Sequence, residues 1–163
     1  MTASPLASST RITPIHAQPL RIGVFGNPNL TVRLVDLLRR HHLAAQLVGP
    51  GRPEPTGSLR RWRQWLLGGR FDLIHGLGCF QYWPAWLAAR SLRIATVCEF
   101  IGSDVLELQA WPRRRRLWLT AIRTCVDVCM ADGRWLAAEL ARYGLSVAIV
   151  NAALPVYIPA SPP

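Results

Sequence analysis

Three short glycine-bearing segments hold the residues best suited to chemistry. Gly26-Asn27-Pro28-Asn29 follows an apolar run and precedes a leucine stripe. Gly26 permits close backbone approach, Asn27 offers a donor and an acceptor, and a helix start attracts anions. The segment is not a dinucleotide fingerprint, because Gly23 and Gly26 do not complete G-x-G-x-x-G. In His75-Gly76-Leu77-Gly78, His75 and the backbone at Gly76 could hydrogen-bond a sugar or a phosphate. In Ile101-Gly102-Ser103-Asp104, Gly102 turns N–H groups toward a ligand, and Ser103 adds a hydroxyl. Asp104 adds a carboxylate that could accept from a ligand hydroxyl or act as a general base, which makes it the one candidate catalytic group. Each segment also has a purely structural reading: a strand-to-helix turn, a structural histidine, a helix cap. No Cys/His group has zinc spacing, so no metal site is expected.

The elements that must position these segments alternate along the chain. Six apolar runs, Leu20 to Gly26, Ala44 to Gly49, Phe71 to His75, Ile94 to Phe100, Val126 to Ala131 and Val147 to Val150, read as strands buried on both faces. Helical stripes lie between them. Asn29 is the expected cap of the first, carrying Leu30, Leu34, Leu37 and Leu38; Leu59, Trp62 and Leu66 mark a second. Pro84 to Arg90, Arg113 to Thr124 and Arg134 to Tyr143 complete the set, the last capped by Asp132 and ended by Gly144. Alternation of this kind predicts one α/β domain: a Rossmann-like, doubly wound, mostly parallel sheet with helices on both faces. Such sheets bind ligands outside the carboxyl ends of their strands, where the three segments fall. Residues 20–154 are expected to fold, between a disordered leader at 1–19 and a proline-rich tail at 155–163. The leader has no apolar core of a secretory signal, and no run reaches the ~18 residues of a membrane span. Cys125 and Cys129 fall in one predicted strand, about 13 Å apart, too far for a disulfide. Reduced, buried cysteines point to a cytoplasmic protein.

The chain carries a net charge of +10, and its 19 basic residues are all arginine. Two segments mix arginine with tryptophan: Arg60, Arg61 and Trp65 in one, Arg113, Arg114 and Arg116 beside Trp118 in the other. Basic helices with boundary tryptophans suit anionic membrane surfaces, so these residues are candidates to face the inner side of a membrane. The alternative is a packed tryptophan face opposite solvated arginines. No nucleic-acid-binding motif accompanies the arginines, which leaves nucleic acid the least favoured partner.

One resemblance runs through the whole pattern. Phe71-Asp72-Leu73-Ile74-His75 with Pro84-Ala85-Trp86-Leu87-Ala88-Ala89-Arg90 resembles a "DVVHAHG…P..LAAR" stretch of family 4 glycosyltransferases. Ile94-Ala95-Thr96-Val97 with Ile101-Gly102-Ser103-Asp104-Val105-Leu106 resembles their GSD stretch. Val126-Asp127-Val128, Trp135 to Leu140 and Ile149-Val150-Asn151 resemble their "ADVV…WLAEEL…V.NG" run. The resemblance covers residues 20 to about 155 and implies the amino-terminal, acceptor-side half of a GT-B fold. It further implies retaining sugar transfer from a nucleotide-sugar donor, with no cofactor or required metal, to a glycan or lipid-linked acceptor. The donor-binding lobe falls outside it, so a partner chain is expected to supply that lobe and the lone chain to be inactive. The alternative is a non-catalytic module that binds a membrane surface or a glycolipid. Many members carry a histidine directly before the GSD glycine; here Ile101 stands there. Glu99 and Glu107 match the family's E-x7-E spacing, but in the wrong lobe.

Overall fold

The computed structural model describes residues 19–48, 57–78 and 80–150. Of the expected leader only Pro19 is described; the expected tail and Cys79 lie outside the described residues. Six strands form one sheet: β1 (Arg21–Gly26), β2 (Ala44–Leu47), β3 (Leu73–Leu77), β4 (Ala95–Phe100), β5 (Val128–Asp132) and β6 (Ala148–Val150). Their order is β2-β1-β3-β4-β5-β6, and every pairing is parallel. Only β2 lies on the far side of β1. The chain therefore winds outward in both directions from the β1/β3 boundary, and that is the switch point where doubly wound sheets bind ligands.

Helices fill the crossovers: α1 (Pro28–Arg40), α2 (Leu59–Gly69), α3 (Trp83–Ser91), α4 (Gly102–Ala110), α5 (Pro112–Cys125) and α6 (Arg134–Arg142). Strand alternation sorts the core into two clusters. Ile22 and Val24 meet Leu34 and Val35 of α1 on one face. Phe25, Ile74, Cys98 and Phe100 meet Trp62, Trp86, Trp118, Ile122 and Leu136 in the larger cluster on the other. Trp62 and Trp86 are fully buried and pack at steep angles on Phe25, with centroids 5.1 and 4.9 Å away. Trp118 is buried too, stacked on Phe80 at 6.0 Å, so its stripe is a core stripe.

Several element ends differ from the sequence reading. Strands β3 and β5 start two residues late, at Leu73 and Val128, because the preceding aspartates do other work. The Asp72 carboxylate accepts the Arg21 N–H at 2.9 Å, and the Asp127 carboxylate accepts the Thr96 N–H at 2.9 Å. Each clamps the foot of the neighbouring strand. Helix α1 is capped by Asn27, not Asn29: the Asn27 side-chain oxygen accepts the Asn29 N–H, and Pro28 takes the first helical position. Gly133, with φ 86°, rather than Asp132, precedes α6. Cys125 closes α5, so it shares no strand with Cys129, whose register partner across β4/β5 is Cys98.

Candidate functional site

The three glycine-bearing segments meet at the carboxyl edge of the sheet, on the adjacent strands β1, β3 and β4. The Asn27 N–H donates to the Leu77 carbonyl at 3.0 Å, tying the first turn to the second. The Gly78 N–H donates to the Glu99 carbonyl at 3.1 Å, tying the second to the third. The Tyr82 hydroxyl donates to the Gly26 carbonyl at 3.3 Å. Gly26 has φ +128°, and a Cβ there would lie 1.9 Å from the Leu77 carbonyl oxygen, so this junction requires glycine. Helices α1, α4 and α6 all begin along the same edge, and the first N–H groups of a helix have no intrahelical acceptor. The edge is thus rich in donors and suited to hydroxyl-bearing or anionic groups.

The individual residues divide into open and closed. Gly102 and Ser103 are exposed in the first turn of α4, and Asn27 is half-buried behind them. With its oxygen on the helix cap, the Asn27 carboxamide keeps its NH2 donors for a ligand. Asp104 is fully buried, and its carboxylate accepts the Ile101 N–H at 2.7 Å. A group so placed is shielded from solvent, and its carboxylate fixes the Ile101–Ser103 turn. Gly76 lies inside β3, not in a loop: a Cβ there would meet the Trp86 ring at 2.5 Å, so its small size serves helix–sheet packing. His75 also lies inside β3. Its Nε2 sits 2.9 Å from the Glu99 carboxylate across to β4, with side chains 12% and 8% exposed. Glu99 is the partner the sequence did not nominate, although residue 75 ends one apolar run and residue 99 is the next to last of another. Glu107 lies on α4 instead, half-buried, and that burial pushes its carboxyl up from the ordinary value. The E-x7-E spacing therefore joins two groups with separate surroundings.

The remaining candidates are also placed. Arg60, Arg61, Arg113, Arg114 and Arg116 are exposed. Trp65 is half-buried and set edge-on to Trp62 at 5.3 Å, so it belongs to the margin of the core rather than to an open surface. Burial drives the Cys129 thiol up to about 12, with the nearby Cys98 adding to the effect, so Cys129 lacks the thiolate character of a reactive site. A cavity lined by Arg90, Arg93, Ile94, Ala95 and Asp127 lies at the amino-terminal foot of the sheet, opposite the edge just described. Among the described residues, no group of three or more His, Cys, Asp or Glu could hold a metal ion, and no helix is long and apolar enough to cross a membrane.

The family described as "Glycosyl transferase 4-like domain" matches residues 14–155. The chain belongs to this glycosyl transferase 4-like family. No curated protein sequence matches it. Several solved structures match it, and two of them show the shared fold. The S. aureus MnaA–UDP co-structure is 15% identical, with a TM-score of 0.58 over 78% of this chain and 41% of that one. The UDP-GlcNAc 2-epimerase from Neisseria meningitidis bound to UDP-GlcNAc is 15% identical, with a TM-score of 0.51 over 76% of this chain and 43% of that one. The glycosyl transferase 4-like chain thus spans about two fifths of the length of these structures. Its single parallel sheet is the Rossmann-like half-fold that the motif order implies. The family placement also gives the two clamp aspartates a meaning. Asp72 and Asp127 belong to the resembling motifs, and both sit at the foot of the sheet, where their carboxylates accept backbone N–H groups of the neighbouring strands.

Proposed function

We propose that this domain is the acceptor-binding lobe of a sugar transferase that moves a glycosyl group from a nucleotide-sugar to a glycan or lipid-linked acceptor. The observation that carries the reading is the meeting of the Gly26, Gly78 and Gly102 turns on one open edge at the sheet's switch point. The first-turn N–H groups of α4, the Ser103 hydroxyl and the Asn27 carboxamide bind acceptor hydroxyls there. Asp104 holds that turn in shape by accepting from the Ile101 N–H. The donor-binding lobe faces this edge from a partner chain or another segment, and its nucleotide-sugar is a substrate, not a resident cofactor. The structural neighbours were solved with UDP and UDP-GlcNAc, which supports a donor of that class. They are too distant to choose the sugar.

Co-expression supplies the test. The 163-residue chain is produced alone and with a candidate donor-lobe chain, and release of nucleoside diphosphate from nucleotide-sugars is followed with a glycan or lipid acceptor. Transfer is expected only from the pair, with Ser103→Ala and Asn27→Ala raising KM for the acceptor. Turnover by the chain alone would contradict the proposal, and so would acceptor KM values untouched by both substitutions.

A further inference from the structure

We infer that the corner between α4 and α5 is a docking surface for an anionic lipid bilayer. The inference does not depend on the sugar-transfer reading. It begins with an electrostatic conflict. Helix α5 opens Pro112-Arg113-Arg114-Arg115-Arg116, with no acidic residue in its first turn and no side-chain cap. Four guanidinium groups therefore crowd the positive end of a helix dipole, which lowers stability. Among the described residues, Arg113, Arg114 and Arg116 make no ion pair. Two of the four rest on rings of the domain, Arg114 over Trp111 at 5.1 Å and Arg115 over Tyr143 at 5.4 Å. Where a sequence breaks a local rule and ring contacts offset only part of the conflict, an outside partner is the physical explanation to test.

The apolar neighbours of these charges identify that partner. Trp111 is 52% exposed at the joint, with Arg114 over its ring at 5.1 Å. Leu106 on α4 is 63% exposed, Leu117 on α5 49%, and Trp135 at the start of α6 65%. A notch of ≈ 320 Å³ lined by Ala110, Trp111, Pro112, Arg113 and Arg114 opens at the corner. All of this lies toward the carboxyl edge of the sheet. Helices α4 and α6 begin there, and α5, about 21 Å long at 1.5 Å per residue, runs from that level down to the foot of β5. Arginines that reach headgroups, tryptophan at the boundary and leucines beyond it match the interfacial layer of an anionic membrane. Nucleic acid would neutralise the arginines and stack on Trp111, but it would leave Leu106 and Leu117 in water. The second arginine–tryptophan segment, on α2, also exposes Leu59 and Leu67 beside its arginines, but it offers no exposed tryptophan, because Trp62 is buried and Trp65 half-buried.

The full chain is sedimented with vesicles of phosphatidylcholine alone and of phosphatidylcholine with phosphatidylglycerol, at low and high salt. Binding is expected only to the anionic vesicles and is weakened by salt. Each arginine near the surface contributes about fivefold, so Arg113→Gln, Arg114→Gln and Arg116→Gln together reduce partitioning on the order of a hundredfold. The matching triple substitution of Arg60, Arg61 and Arg63 on α2 reduces it far less. Brominated lipid quenches tryptophan fluorescence in the wild type, and Trp111→Phe with Trp135→Phe removes most of that quenching. All six arginines are exposed, and unchanged circular dichroism and melting confirm that the variants fold. The inference is overturned by absent binding to anionic vesicles at low salt, by equal binding to neutral ones, or by a wild-type result from the α5 triple variant. Quenching that survives the double tryptophan substitution also overturns it, as does binding to an oligonucleotide without binding to vesicles.

Discussion

Replacing Asp127 with alanine is expected to destabilise the domain by about 2 kcal/mol, and the same change at Asp72 by about 0.5 kcal/mol. Both aspartates make the same bond, a carboxylate accepting the first free N–H of the neighbouring strand. What differs is the donor's surroundings. Thr96 is 1% exposed, and its hydroxyl also bonds the Asp127 carboxylate at 2.9 Å, the Cys125 carbonyl at 3.1 Å and the Asp127 N–H at 2.9 Å. Removing the Asp127 carboxylate leaves a buried N–H unpaired, which costs roughly 1–3 kcal/mol. The figure belongs in the middle of that range because the Asp127 side chain is 49% exposed and admits some water. At Asp72 the bond is solvent-exposed, and the accompanying pair to Arg21 at 3.6 Å joins side chains 43% and 47% exposed. Water replaces most of what is lost there. The assay is urea denaturation followed by circular dichroism. With a slope near 1–3 kcal/mol per molar, the Asp127 variant should lose about 1 M in midpoint and the Asp72 variant a few tenths, both with unchanged slope. Equal losses, or a larger loss at Asp72, would refute the claim that donor burial sets the strength of these clamps.

Other substitutions test the site and core by the same reasoning. Gly76→Val forces atoms into Trp86 and Phe25, where even a Cβ lies 2.5 and 2.8 Å away, and is expected to cost about 1–3 kcal/mol in the same assay. Gly102→Ala meets nothing within 4 Å and is expected to be neutral or stabilising by up to about 1 kcal/mol. Alkylation at pH 8, read by peptide mass spectrometry, should leave Cys129 unmodified in the native protein and label it on unfolding, because a thiol near 12 is almost wholly protonated there. His75→Ala and Glu99→Ala should each cost about 3 kcal/mol, since each strands one member of a pair only 12% and 8% exposed. The double variant should cost less than their sum, as a double-mutant cycle measures.

Much of the fold was legible in the sequence because apolar runs and leucine stripes record burial, and burial is what places an element in a doubly wound sheet. All six strands and their parallel direction match runs such as Ile22 to Phe25 and Ile94 to Phe100 separated by helical stripes, whereas their order around β1 is seen only in the structure. The ends were harder, for a physical reason. An apolar run marks where side chains are buried, whereas a strand begins where ladder bonds begin. Phe71 and Val126 are buried or half-buried but precede a carboxylate that bonds the next strand in place of the ladder. The same strand runs two residues past its expected end at His75, to Leu77, which carries Gly76 from an expected loop into β3.

The same distinction governs the candidate site. Glycine spacing located all three turns, since a junction such as Gly26 against the Leu77 carbonyl admits no other residue and so leaves a mark in the sequence. Accessibility leaves no such mark. Ser103 and Asp104 are adjacent, both polar and both in the first turn of α4, yet one is exposed and the other fully buried on the Ile101 N–H. Which of them faces the cleft depends on the roll of α4 about its axis, and that is set by distant burial of Val105 and Leu108 in the core. Only the α5 arginines remain outside this logic. Neither core packing nor the edge chemistry accounts for four like charges at the positive end of a helix, and the bilayer docking inferred above is the explanation that the vesicle assay tests.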